Sequence, residues 1–115
     1  MLKPGPTEMI SVIVFVRLKP GNIANALACY GELIPQIMAH EPGCLEYAPM
    51  LDYDAGLPNQ EKDADMIVVS ERWNCLEDFK KHIAMPHSAH FRARIGNYLK
   101  ERITVRVMQS SRGAY

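Results

Sequence analysis

The chain has 115 residues, the size of one domain and too few for two, and about two-thirds of its surface can be buried on folding, enough for one modest core. Apolar residues make up 48% and charged residues 23%, a globular composition that excludes wholesale disorder. Thirteen Lys and Arg balance thirteen Asp and Glu, so no net field favours nucleic acid or an anionic membrane, and a charge near zero does little to oppose self-association.

Residues 1–8 carry Pro4, Gly5 and Pro6 without an apolar stretch and read as a flexible leader, not a signal peptide. Residues 9–18 predict a strand that is apolar on both faces: Ile10, Val12, Val14, Val16 and Leu18 on one, Met9, Ile13 and Phe15 on the other. Such a strand must be covered on both sides. The apolar run is far too short to span a bilayer. Pro20-Gly21-Asn22 breaks it, with Asn22 placed to cap a helix. From Ile23 the stripe Ile23, Leu27, Tyr30, Ile34 and Ile37 predicts an amphipathic helix with a kink at Pro35, ended by Glu41-Pro42-Gly43.

Residues 44–52 alternate as a second strand, which Pro49 confines to an edge or a bulge. A polar loop follows over 53–64. Residues 65–73 form the third strand, with Ile67, Val69, Glu71 and Trp73 on one face. Asn74 and Glu77 resemble a capping box for a short helix with Leu76, Phe79 and Ile83 as its core face. Pro86 opens a further helical segment striped by His87, Phe91, Ile95, Tyr98 and Leu99. Ile103, Val105 and Val107 make the last strand, residues 110–115 a polar tail, and Met38, Met50, Met66, Met85 and Met108 read as core filler.

The order β-α-β-β-α-β is that of an α+β, ferredoxin-like domain over residues 9–109, with helices on one face of a four-stranded antiparallel sheet. The other face, also apolar here, calls for a cover, and the economical one is a second copy packed sheet against sheet around a cavity, a homodimer. Cys29, Cys44 and Cys75 are odd in number and form no CxxC pair, which points to reduced thiols in a cytoplasmic protein.

Glu41-Pro42-Gly43-Cys44-Leu45-Glu46-Tyr47, Ala48-Pro49-Met50-Leu51-Asp52, Glu71-Arg72-Trp73 and Phe79-Lys80-Lys81-His82 with Pro86-His87 downstream resemble the antibiotic biosynthesis monooxygenase family, and within it the bacterial quinol monooxygenases. The resemblance covers residues 9–109. It implies a dimeric α+β barrel with antiparallel sheets packed face to face, and oxidation of an electron-rich aromatic by O₂ without metal or flavin. The family's haem-degrading members carry an asparagine on the first strand, where this chain has only apolar residues, Ser11 and Arg17. Their second-helix tryptophan is replaced by His82, and their later histidine falls near Arg92, which argues against an iron-ligating pocket.

Triplet O₂ does not react directly with a closed-shell phenol, but a phenolate can pass it one electron. A protein running that reaction must bind a flat ring, take a proton and hold the anion away from water. His82 and His87 are the candidate bases, with Glu71 to orient an imidazole. Trp73, Phe79 and Phe91 are candidate ring-binding groups and Tyr47 a candidate donor to a ring oxygen. Several have a packing reading as well: His82 and His87 as hydrogen-bonded residues at a helix edge, Trp73 as core, Glu71 as the partner of a neighbouring arginine or a helix cap, and His40 as a helix-dipole partner. His82, His87 and His90 could supply a metal trio, but HxxH alone carries little information and the site reads as metal-free. Two other readings of the same pocket stay open: an isomerase shuffling a proton beside a carbonyl, and a non-catalytic dimer that binds a small ligand.

Overall fold

β1 (Ile10–Arg17) lies inside the sheet and carries apolar, mostly β-branched side chains on both of its faces. A computed structural model describes residues 8–111; of the expected leader and tail, only Glu8, Ser110 and Ser111 fall among them. The chain continues as α1 (Ile23–His40), β2 (Cys44–Met50), β3 (Met66–Trp73), α2 (Leu76–Ala84), α3 (Pro86–Ile95), a 3₁₀ turn (Gly96–Tyr98) and β4 (Thr104–Met108). The four strands are antiparallel in the order β2-β3-β1-β4, which is the ferredoxin-like arrangement. Register sets two rows that matter below. Val12, Glu71 and Tyr47 lie side by side across β1, β3 and β2, and Ile10, Trp73 and Cys44 form the next row.

Helices cover the face that holds Ile10, Val12, Val14, Val16, Ile67, Val69 and Trp73, all buried. Full burial of each such aliphatic side chain is worth roughly 1.5–3 kcal/mol, so this layer supplies the core. The opposite face carries Ile13 and Phe15 of β1, Met66 and Val68 of β3, Met50 of β2 and Met108 of β4, all half-buried or exposed. The five residues of β4 are all exposed, because no helix reaches that edge. Pro49 sits on the outer strand β2, and a register shift between Cys44 and Glu46 marks a bulge nearer the start of that strand.

Several local expectations are corrected. α1 buries Ala26, Cys29, Tyr30, Leu33 and Ile37, whereas Leu27 is exposed and Ile23 and Ile34 are only partly covered. The predicted stripe holds at Tyr30 and Ile37, and the buried face is centred nearer Ala26, Cys29 and Leu33, where small residues let the helix approach the sheet. Asn22 occupies the N-cap, but its amide donates to the carbonyls of Lys19 and Pro20 instead of capping. Cys75, not Asn74, is the N-cap of α2, again without a side-chain cap. α2 buries Phe79 and His82, leaving Ile83 exposed. None of the five methionines is buried; Met38, Met50 and Met108 are exposed.

Gly43 fixes how α2 meets the start of β2. A Cβ there would lie 2.7 Å from the Cβ of Asp78 and closer still to its carboxyl carbon, while the Gly43 carbonyl accepts a hydrogen bond from the Asn74 N–H at 2.8 Å. Gly43→Ala therefore forces α2 outward. The expected cost is about 1–3 kcal/mol, the usual range for overpacking, read as a lower urea midpoint at unchanged slope.

Candidate functional site

Glu41, the residue that closes α1, is the centre of the site. It is buried, and both of its carboxylate oxygens lie 3.0 Å from Nδ1 of His82 on α2. Its Oε2 also lies 2.6 Å from Nε2 of His87 on α3. A carboxylate can only accept, so His82 carries its proton on Nδ1 and His87 on Nε2. His82 is thereby fixed in the tautomer that leaves Nε2 as a proton acceptor. Burial holds its pKa below the ordinary histidine range, more strongly than the Glu41 hydrogen bond and charge raise it. The ring is packed in aromatic surroundings: Trp73 at 4.7 Å between centroids, Tyr47 at 5.7 Å and Phe79 at 6.3 Å.

His82 borders a cavity of about 280 Å³ between the sheet and the helices. Val14, Tyr47 and Glu71 form its sheet side, Tyr30, Phe79, Ser88 and Phe91 its helix side, and Ile103 and Val105 the edge toward β4. The cavity lies between the helices and the sheet of this chain, whereas the sequence reading expects one between two sheets packed face to face. Of the seven residues singled out from sequence, five come together here: Tyr47, Glu71, Phe79, His82 and Phe91. His87 stands behind His82 through Glu41 and does not line the cavity. Trp73 is wholly buried beneath the His82 ring, a core position.

Among the described residues Glu71 orients no imidazole and pairs with no arginine. Its Oε1 accepts the indole N–H of Trp73 at 2.9 Å. Burial lifts its carboxyl to about 7, with the Trp73 donor working the other way and the Glu41 charge adding to the rise. Tyr30 and Tyr47 are both pushed well above the ordinary phenol range, chiefly by burial and then by Glu71, so both stay protonated as potential donors. The site thus combines a neutral imidazole that accepts, a carboxyl poised near neutrality and two phenols that donate, in largely apolar walls.

The trio of His82, His87 and His90 is not assembled: His90 is exposed and opens onto a separate groove between α1 and α3. Among the described residues Glu41, His82 and His87 bring one ligand atom each within 4.8 Å of one another, but the carboxylate already accepts from both rings. His40 is exposed and stacks near His87 at 6.1 Å.

Glu41 and Tyr30 are the site residues that pattern reading did not mark. Glu41 looked like a helix terminator in front of Pro42-Gly43. The available signal was topological: the split β-α-β-β-α-β order brings the end of α1 beside α2, where an acid meets the histidines.

The model of the antibiotic biosynthesis monooxygenase family matches residues 9–94. The probable quinol monooxygenase YgiN of Escherichia coli is 32% identical over 104 residues, covering 88% of this chain and 97% of YgiN. Among solved structures, Rv0793 from Mycobacterium tuberculosis superposes with a TM-score of 0.74 at 22% identity, covering 90% of this chain and 95% of that one. Protein SO0527 from Shewanella oneidensis gives 0.73 at 18% identity, covering 90% and 92%. At those identities the two structures speak for the fold.

Proposed function

The chain belongs to the antibiotic biosynthesis monooxygenase family, and from that premise we propose that its cavity oxidises a quinol-type phenol with O₂, with His82 taking the ring hydroxyl's proton. The observation that carries this reading is the buried Glu41–His82 pair at the edge of an aromatic-walled cavity. Nε2 of His82 removes the proton, and Glu41 steadies the imidazolium that forms. The phenolate passes one electron to O₂, and superoxide recombines with the ring radical to make a C–O bond. Cleavage of the O–O bond then releases one oxygen as water and keeps the other on the ring. For hydroquinone the products are hydroxyquinone and water, with atoms and electrons balanced and no cofactor required. The phenols of Tyr30 and Tyr47 are the donors available to the ring oxygens. The cavity volume is at the small end for ligand sites, which favours a ring system of one or two rings over a larger polycycle.

The test is oxygen uptake by chelator-treated protein with hydroquinone, corrected for autoxidation, alongside identification of the product. One O₂ consumed per hydroxyquinone formed is the expected result. No uptake above autoxidation overturns the reading. Glu71 favours a second one: a carboxyl near neutrality in an apolar cavity also suits proton transfer beside a carbonyl. Turnover of a small carbonyl compound at equal rates in air and under nitrogen selects that isomerase chemistry.

Two copies packed through their open sheet faces form the proposed assembly, supported by the apolar residues left uncovered there. Val68 lies mid-strand on that face, opposite Phe15. Val68→Glu is expected to turn a dimer into a monomer in light scattering after gel filtration; a monomeric wild type refutes the assembly. No helix among the described residues is long and apolar enough to cross a membrane. The three free thiols suit a reducing compartment, for which the cytoplasm is proposed.

A further inference from the structure

We propose that Ser88 and Arg92 form a second recognition point in the cavity, one that takes a carboxylate carried by the substrate ring. The proposal rests on the reading of the cavity as a phenol site and narrows its substrate class to hydroxylated aromatic acids. Ser88 on α3 is buried, yet its hydroxyl has no hydrogen-bond partner among the described residues. An unpaired buried hydroxyl is destabilising and uncommon, and calls for a partner. Ser88 also lines the cavity, so rotation about one side-chain bond turns its O–H toward a ligand there.

Arg92 follows one helical turn later on the same side of α3 and lines the same cavity. Its Nη1 donates to the carbonyl oxygen of Ile83 at 3.1 Å. That bond anchors the guanidinium over the end of α2 and leaves other N–H groups of the fork for a ligand. Its positive charge is close enough to oppose protonation of His82, so an anion held by Arg92 sits near the ring that accepts the substrate's proton. A hydroxyl and a guanidinium one turn apart suit a carboxylate better than a neutral oxygen, because the charged acceptor makes the stronger hydrogen bonds. The acid across the cavity, Glu71, belongs to β3 on the sheet side, and burial keeps it mostly protonated below about pH 7, where it does not oppose a bound anion.

The test is calorimetric titration at pH 6.5 under nitrogen, comparing 2,5-dihydroxybenzoate with hydroquinone. Binding is then read without turnover, and failure of the O₂ chemistry leaves the measurement intact. Wild-type protein is expected to bind the acid at least about tenfold tighter than the parent quinol, the scale of one charge-assisted contact. Arg92→Gln is expected to bring that preference within about twofold, and Ser88→Ala to reduce it about threefold. Equal affinities in the wild type, no detectable binding of the acid, or an unchanged preference in Arg92→Gln overturns the proposal. Selective binding without oxygen uptake retains this subsite and rejects the oxygenase reading.

Discussion

His82→Ala is expected to lower kcat for quinol oxidation by about 10²- to 10⁴-fold, the range for loss of a positioned general base. The substitution removes the cavity-lining imidazole whose Nδ1 is held by Glu41. His82→Gln, which can still donate to Glu41, preserves that buried contact and separates lost chemistry from lost folding; both variants should be checked by circular dichroism and thermal melting. His87→Ala should cost much less, about tenfold at most, because His87 reaches the cavity only through Glu41 and leaves the Glu41–His82 bond in place. Glu41→Gln should fall between, since an amide can present either an acceptor or a donor to Nδ1 and no longer selects one tautomer. The base works only when neutral, and burial places its pKa below the ordinary histidine range. The acid limb attributable to His82 should therefore lie below pH 6.5. Turnover of His82→Ala within tenfold of wild type removes the histidine from the mechanism.

The layers were legible because period and position agreed. β1 announced a central strand by being apolar on both faces, and Pro49 announced an edge. Alternation puts Glu71 and Trp73 on one face with Ile67 and Val69, and the structure shows that shared face to be the one the helices cover. The failures came where apolarity alone set the phase. Ala26 and Cys29 are too small to stand out in a stripe, yet they form the α1 surface that packs closely. In α2 the rule favoured Ile83 over His82, and the opposite is observed because a buried acid makes the histidine a core residue. That acid lies 41 positions earlier in the chain, a separation no local pattern spans. The candidate site was thus readable as residue types, while its wiring was not: an imidazole, an arginine or a helix end were the partners open to Glu71, and it accepts instead from Trp73.

That wiring makes Glu71 a stability liability with a definite sign. Its carboxyl titrates at about 7 in the folded protein against 4.5 unperturbed. A raised acid pKa means the folded state binds the proton more tightly than the unfolded one. The resulting stability is fully present below pH 4.5 and is lost as pH climbs through about 7. The gap corresponds to about 3 kcal/mol between the two limits. Glu71→Gln keeps an acceptor for the Trp73 indole and cannot ionise. The variant should therefore match the wild type near pH 4.5 and exceed it at pH 8.5, by about 3 kcal/mol or roughly 10 °C in Tm. Taking the difference between variant and wild type at each pH cancels the opposite trend from His82, whose lowered pKa costs stability on the acid side. A difference that stays flat from pH 4.5 to 8.5 means Glu71 ionises as freely as a surface acid, and its place in the cavity has no functional weight. The same variant should lose turnover while gaining stability, because a carboxyl poised near neutrality is useful for moving protons and costly to bury. A buried acid retained at that cost, facing Tyr47 across the strands and His82 across the cavity, is the strongest reason in the fold itself to look for chemistry here.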